Sequence, residues 1–136
     1  MSDLIARVKE IYAAFDRGDI DEILASMTED VSWEFEAPAE ITWGGVRKGR
    51  EEAAGFFVGI AAEHGNPLLQ MTAFFADGNK VAAFGRYDAT VLASGIRVST
   101  PVGHYFEFRD GKISRYINLV NTGVFVEAAR TAAAAA

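Results

Sequence analysis

Hydrophobic and polar residues alternate with a period of two between Lys80 and Thr122, and this alternation predicts three long strands. Two tight turns separate the strands, one near Ser94 and Gly95 and the other at residues 109–112, where Asp is followed by Gly. An Asp-Gly pair between alternating runs favours a hairpin, because glycine readily adopts the positive φ that such a turn requires. The stretch is therefore predicted to form three consecutive antiparallel strands.

The first two of these strands each present two chemically different faces. One face of the second strand carries a histidine among apolar side chains: Val102, His104, Phe106 and Phe108. One face of the first strand is apolar at its ends and ionic in its middle: Phe84, Arg86, Asp88, Thr90 and Leu92. Residues two apart on a strand share a face, so Arg86 and Asp88 are neighbours. If their face is the inner one, the sheet encloses a polar site in an apolar hollow.

Apolar residues at helical spacing predict two helices at the start of the chain. The first runs from Asp3 to about Arg17, with Ser2 as a suitable N-cap. The second follows Asp19, which can cap it, with Glu22 three residues later as the acidic partner of a capping box.

A third helix is predicted from Arg50 to Glu63. Gly55 and Gly59 lie inside it, four residues apart, and indicate that a neighbouring element packs closely against that face; a strand is the simplest candidate. His64 comes next, and we expect it to be a solvated residue at the helix C-terminus, where the helix dipole favours a cation.

Shorter elements complete the predicted order α–α–β–α–β–β–β–β, which is typical of the α+β class. Strands are expected at residues 31–36, 68–76 and 113–121, and a short terminal helix at 124–132. The glycine-rich segment before the third helix contains Trp43, which either pins this loop to the core or lines a ligand pocket.

Composition narrows the possible functions. The 136 residues fit one domain, 1–136, with a substantial core, and the net charge of −6 argues against nucleic acid and anionic membranes as partners. There is no cysteine, which excludes disulfides and thiolate chemistry. The sequence has no recognisable metal motif and no phosphate-binding loop, so no metal and no cofactor are expected. It also has no signal peptide and no bilayer-spanning apolar run, so we expect a cytoplasmic protein.

Helices followed by long antiparallel strands, and the run GHYFEFRDGKISRYINLVNT at 103–122, resemble the SnoaL-like and ketosteroid isomerase-like superfamily. This superfamily, also called nuclear transport factor 2-like, includes polyketide cyclases, limonene epoxide hydrolases and scytalone dehydratase. The resemblance covers nearly the whole chain. It implies a cone-shaped α+β barrel, with N-terminal helices packed on a curved antiparallel sheet. It also implies a homodimer formed through the convex sheet face, to which Tyr105, Tyr116 and Ile117 could contribute.

His104 is one candidate for the chemistry. Superfamily members often carry a histidine at this place, and an ordinary histidine pKa of about 6.5 suits a general base or a hydrogen-bond donor to a substrate oxygen. The alternative is a buried structural histidine that donates to a backbone carbonyl or a tyrosine hydroxyl.

The Arg86-x-Asp88 motif is the second candidate, and it resembles the Arg-x-Asp of limonene epoxide hydrolases. Burial raises the pKa of an Asp and an adjacent Arg lowers it, so Arg86 would decide whether Asp88 is a base or a neutral donor. The alternative is a structural ion pair. Asn118 and Asn121 stand where many relatives have an acid, and an amide cannot take a proton. This leaves Asp88 or His104 as the base, with Asn118 or Asn121 as positioning groups.

The remaining candidates concern substrate binding. Tyr12 or Tyr116 could donate a hydrogen bond to a dienolate oxygen, as ketosteroid isomerase chemistry requires. Aromatic residues that could shape the pocket are Trp33, Trp43, Phe56, Phe84 and Phe106. Two functions stay open. One is a cofactor-independent isomerase, cyclase, dehydratase or hydrolase acting on a small hydrophobic molecule. The other is a non-catalytic ligand-binding or dimerisation domain of the same fold.

Overall fold

A computed structural model describes residues 3–135 of the chain, with side chains as far as Thr131. In chain order the elements are α1 Leu4–Asp16, α2 Ile20–Ala25, β1 Met27–Phe35, β2 Gly45–Lys48, α3 Gly49–Glu63, β3 His64–Asp77, β4 Lys80–Val91, β5 Ile96–Arg109, β6 Lys112–Val120 and α4 Thr122–Ala135.

The six strands form one curved sheet that does not close on itself, in the order β2-β1-β6-β5-β4-β3. Helices pack on this sheet: α1 contacts β3 and β4, and α3 contacts β1. The predicted α+β class, with N-terminal helices on a curved sheet, is confirmed. One detail differs, because β1 pairs with β6 in parallel while all other neighbouring strands are antiparallel.

The two predicted hairpin turns are confirmed by their backbone angles. Asp110 and Gly111 have φ values of 52° and 77°, the two positive values that a type I′ turn requires. Gly95 has a φ of 72° in the turn between β4 and β5. These turns place β4, β5 and β6 side by side in the centre of the sheet.

The helix boundaries lie close to those predicted. The proposed cap Ser2 lies outside the described residues, and Asp3 caps α1 by accepting a hydrogen bond from the Ala6 amide at 3.1 Å. Asp19 caps α2 as expected, accepting from the Glu22 amide at 3.2 Å. The Glu22 carboxylate forms an ion pair with Arg17.

The glycine-rich segment contains a strand that the sequence did not predict, and its Trp43 is part of the core. The four-residue strand β2 pairs with β1, and it was missed because four mostly exposed residues carry too little alternation. Trp43 is 2% exposed and stacks on Phe35 with ring centroids 4.7 Å apart. A Cβ on Gly59 would lie 2.5 Å from the Trp43 Cβ, and one on Gly55 would lie 2.6 Å from the Arg47 guanidinium, so the close neighbours of α3 are this loop residue and, as expected, a strand, β2.

His64 is not the solvated helix-terminal residue that was expected. It is buried, because α3 passes directly into β3 without a loop, and its Nδ1 lies 2.8 Å from the Tyr87 hydroxyl. Its ring stacks on Phe125. Burial lowers the pKa of His64, so this site favours the neutral imidazole and not the cation that a helix C-terminus would stabilise.

The inner face of β4 is opposite to the one considered from the sequence. Its buried residues are Val81, Ala83, Tyr87, Ala89 and Val91. The alternate residues, including Phe84, Arg86 and Asp88, therefore lie on the outer face. The hypothesis that this ionic face points into the sheet interior is wrong. On β5, by contrast, Val102, His104, Phe106 and Phe108 are all buried on the inner face.

Candidate functional site

A cavity lies between the helices and the inner face of the sheet. Its lining comes from α1, α2, α3 and five of the six strands, together with Trp43. It has a volume of about 60 Å³, which is small beside the roughly 300–1,000 Å³ of typical ligand pockets. Among the described residues no Asp, Glu, Lys or Arg lines it, and its side-chain polar groups belong to seven residues: Tyr12, Trp33, Trp43, Tyr87, His104, Tyr116 and Asn118.

The central polar contact of the cavity joins α1 to β5. The Tyr12 hydroxyl lies 2.8 Å from His104 Nδ1, and the two ring centroids are 5.7 Å apart. His104 is 6% exposed. Burial raises the pKa of the Tyr12 hydroxyl far above its ordinary value, so the tyrosine stays protonated. The sequence-based alternative of a histidine bonded to a tyrosine hydroxyl therefore applies, and the same histidine also lines the cavity.

His104 is a neutral imidazole in this environment. Burial in the apolar cavity lowers its pKa to about 3, and the neighbouring Asn118 side chain opposes this decrease only in part. The protonated form is disfavoured further because none of the described residues that line the cavity is a carboxylate that could pair with it. The base form of His104 is therefore fully populated at neutral pH, although it is a weaker base than a solvated histidine.

The aromatic wall beside His104 is formed by β1 and β6. Trp33 and Tyr116 are paired in the parallel register, and their rings stack with centroids 3.7 Å apart and planes 14° apart. Phe106 meets the Tyr116 ring nearly edge-on at 5.2 Å. Burial raises the pKa of Tyr116 well above its usual value, so this wall also carries no charge.

Eight of the candidate site residues proposed from the sequence come together at this cavity: Tyr12, Trp33, Trp43, Phe56, His104, Phe106, Tyr116 and Asn118. Trp43 fulfils both roles left open for it, since it fastens the loop to the core and also lines the cavity. The other four, Phe84, Arg86, Asp88 and Asn121, are not part of the lining.

Arg86 and Asp88 lie on the outer face of β4. Arg86 is exposed and pairs in register with Gln70 and Pro101, and no salt bridge joins it to Asp88 in the described part of the chain. The alternative of a structural ion pair between Arg86 and Asp88 therefore does not apply. A carboxylate on the outer face cannot reach a molecule in the cavity, so the geometry does not support a catalytic Asp88.

Asn121 and Phe84 have structural surroundings. Asn121 is exposed at the start of α4, where its Oδ1 accepts a hydrogen bond from the Gly123 amide at 3.1 Å. Phe84 is 48% exposed on the outer face, and its ring covers Gly103 of β5, where a Cβ would lie 3.1 Å from the ring.

Tyr87 and His64 are the polar residues near the cavity that the sequence analysis missed. Tyr87 lines the cavity, and its hydroxyl is bonded to His64 outside the lining. A signal was available, because Val81, Ala83, Ala89 and Val91 share its face of β4 and form an unbroken apolar alternation.

Residues 3–135 contain neither a candidate metal site nor a helix that could span a membrane. No group of three or more His, Asp or Glu residues there could hold a metal ion. No helix among the described residues is both long enough and apolar enough to cross a membrane.

Comparison with known proteins adds information on the family. A family model described as a SnoaL-like domain matches residues 8–116. No protein with a curated description matches the chain by sequence.

Solved structures share the fold over nearly the whole chain. An NTF2-like protein of unknown function from Burkholderia pseudomallei has a TM-score of 0.87 at 23% identity, covering 93% of this chain and 97% of its own. TerC, crystallised with polyporic acid, has a TM-score of 0.84 at 28% identity, with the same coverage. A candidate polyketide cyclase from a Silicibacter species has a TM-score of 0.72 at 26% identity, covering 88% of this chain and 90% of its own.

The lowered pKa of His104 predicts that the protein loses stability as the pH falls below about 6.5. Below that pH the unfolded chain binds a proton at His104 that the folded chain excludes until about pH 3. The free energy of unfolding should therefore fall by about 1–2 kcal/mol for this residue between pH 6.5 and 5.0. Urea denaturation at these pH values, on the wild type and on His104→Gln, measures the effect.

His64 acts in the same direction, so the variant should keep part of the slope. Asp30 and Glu34, whose pKa values are lowered by Arg109 and Arg115, contribute only at lower pH, nearer their ordinary values of 3.8 and 4.5. Equal slopes for the wild type and His104→Gln would show that His104 is not a buried neutral imidazole.

Proposed function

The chain belongs to the SnoaL-like domain family, and from this membership we propose that it is a cofactor-independent enzyme acting on a small hydrophobic substrate. The proposed reaction is a proton transfer of the kind that isomerases, cyclases, dehydratases and hydrolases share. The observation that carries the proposal is the Tyr12–His104 hydrogen bond of 2.8 Å in the wall of an otherwise apolar cavity.

His104 is proposed as the base. When its Nδ1–H donates to the Tyr12 hydroxyl oxygen, the lone pair of Nε2 is left free to accept a proton. In the proposed step Nε2 takes a proton from a carbon beside a substrate carbonyl, and the electron pair of the broken C–H bond moves to form an enolate. The same nitrogen then returns the proton to carbon, at the original position or at a conjugated one.

The charge balance of the cavity limits this reaction. Forming an imidazolium where the pKa of His104 is about 3 is unfavourable unless a negative charge develops beside it. The enolate supplies that charge, so the two ions would form and disappear together. A substrate that is itself charged is disfavoured, because the part of the chain that the structure describes places no counter-ion in the lining.

Size further narrows the substrate. A cavity of about 60 Å³ accepts at most a compact molecule unless its walls move. Four lining residues are only half-buried, namely Tyr12, Phe15, Leu69 and Val120. Phe15, Leu69 and Val120 are apolar and lie where the cavity wall is closest to solvent, so we propose that they turn to admit a larger ligand while Tyr12 stays bonded to His104.

Structural relatives above 25% identity favour a small-molecule site. TerC was crystallised with polyporic acid, and the Silicibacter protein is described as a candidate polyketide cyclase. Those descriptions belong to these proteins. For the present chain they support a ligand in the same fold, while the reaction is argued from Tyr12 and His104.

A second candidate function is ligand binding without catalysis. It is favoured by the absence of any carboxylate in the cavity lining and by the low basicity of His104. The two functions differ in one property: an enzyme accelerates proton exchange on a bound ketone, and a binding protein does not.

We also propose that the protein forms a homodimer through the outer face of the sheet. Support comes from apolar side chains exposed there, with Phe84 and Leu119 on either side of Gly103 in one cross-strand row and Phe75 in the next. Tyr116, expected earlier at this face, is buried on the inner side and takes no part.

The proton-transfer proposal predicts that the protein catalyses hydrogen–deuterium exchange beside the carbonyl of a bound ketone. Cyclohexanone and acetophenone in deuterated buffer, followed by NMR, are suitable probes. His104→Gln should lower the exchange rate by about 10²–10⁴-fold, the usual contribution of a general base, while ligand affinity is largely kept. Asp88→Asn, on the outer face, should exchange at the wild-type rate.

Three results would decide against this proposal. Bound ketone without exchange in the wild type would establish the binding function instead. Exchange that survives His104→Gln would remove His104 as the base. Loss of exchange in Asp88→Asn would return the base role to Asp88.

The dimer proposal predicts a solution mass of about twice the 14.7 kDa of the chain by light scattering. Leu119→Glu should yield monomers, because it places a charge in the apolar row. Val58→Glu is the matched control, since Val58 is 68% exposed on α3 and away from the sheet face. A monomeric wild type would refute the proposal.

A further inference from the structure

Two polar atoms in the cavity wall have no hydrogen-bond partner within the described residues. They are Trp33 Nε1, a donor, and Asn118 Oδ1, an acceptor. Trp33 is 3% exposed and Asn118 is 7% exposed, and both residues line the cavity. A buried polar atom without a partner destabilises the fold, so its presence calls for an explanation.

These two atoms belong to neighbouring strands on the same side of the sheet. Trp33 of β1 pairs in register with Tyr116 of β6, and Asn118 lies two residues further along β6, roughly 7 Å away along the strand. Asn118 is also the cross-strand partner of His104. It is close enough to influence the pKa of His104, yet its Oδ1 makes no hydrogen bond of normal geometry.

Two other polar groups of the cavity are already paired. Tyr12 is bonded to His104, and Tyr87 is bonded to His64. A ligand that enters the cavity therefore meets an unpaired N–H group at Trp33 and an unpaired carbonyl oxygen at Asn118 near the imidazole of His104, and it meets no charged side chain among the described residues.

We propose that the cavity selects an uncharged, planar, single-ring molecule that carries both a carbonyl and a hydroxyl group, such as a phenolic or enolic ketone or aldehyde. The carbonyl oxygen accepts a hydrogen bond from Trp33 Nε1, and the hydroxyl donates to Asn118 Oδ1. This inference rests on the proposed function, in which the cavity is the substrate site, and it names the substrate class.

The chemistry of the wall excludes two other classes of ligand. A carboxylate has no proton to donate to Asn118, and it would bring a charge into a wall that has no cation. A hydrocarbon would leave both atoms unpaired. Most of the residues that line the cavity are aromatic, and such a lining suits a planar ring.

The experiment compares matched aromatic probes by ligand-observed NMR and calorimetry. The three hydroxybenzaldehydes vary the distance between hydroxyl and carbonyl. The three methylbenzaldehydes replace the hydroxyl by a methyl group of similar size, and the hydroxybenzoates replace the aldehyde by a charged carboxylate. The best hydroxybenzaldehyde should bind about tenfold more tightly than its methyl counterpart and its benzoate counterpart, as expected for one buried hydrogen bond.

Asn118→Leu tests the acceptor directly, since leucine has a similar volume and no polar atom. The variant should bind hydroxy and methyl probes with equal affinity and should be at least as stable as the wild type, because an unpaired polar atom is removed. The comparison of probes on the wild type does not depend on any variant folding.

Each outcome decides the question. A preference for the hydroxyl that disappears in Asn118→Leu supports the inference. Binding of all probes with equal affinity, or a preference that persists in the variant, overturns the inference and leaves the proposed function standing. Failure of every probe to bind the wild type overturns both.

Discussion

The hydrogen bond between the Tyr12 hydroxyl and His104 Nδ1 is the contact on which the site depends. It connects the first helix to the central strand β5 across a cavity in which an unpaired hydroxyl or imidazole would be costly to bury. The bond satisfies one polar atom on each side, and the surrounding aromatic rings keep water and charge away. As a result both groups stay neutral, and the pKa of His104 falls to about 3.

The alternation of side chains along the strands keeps charged residues out of the cavity. On β4, Val81, Tyr87 and Val91 fill the interior, and this places Arg86 and Asp88 on the outer face, in contact with solvent. Because none of the described residues that line the cavity is a carboxylate, the site cannot use an acidic side chain as its base. It can hold an uncharged molecule against the imidazole of His104 and the amide of Asn118.

Much of this structure was predictable from local patterns. The helices, the Asp19 cap of α2 and the turn at Asp110–Gly111 depend on residues that are close together in the sequence. The buried face of β5 follows from the alternation of apolar and aromatic residues with polar ones along the strand. The parallel pairing of β1 with β6 could not be predicted, because it joins residues far apart in the chain. The face of β4 that carries Arg86 and Asp88 was considered as the inner one because of its Arg-x-Asp motif. The small apolar residues that alternate with them, from Val81 to Val91, form the inner face instead. His64 was expected to be solvated because a loop was assumed to follow α3. The chain has no loop there, since α3 passes directly into β3, and His64 is buried.

The central claim is that His104 is a neutral imidazole paired with Tyr12 inside the ligand cavity. The chain has two histidines, so ¹⁵N NMR of the imidazole rings in a His64→Gln variant reports on His104 alone. The structure predicts nitrogen shifts of a neutral ring that stay constant from about pH 7 down to about pH 5, and that change when a ligand enters the cavity. A titration with its midpoint near 6.5, unaffected by any ligand, would contradict the account.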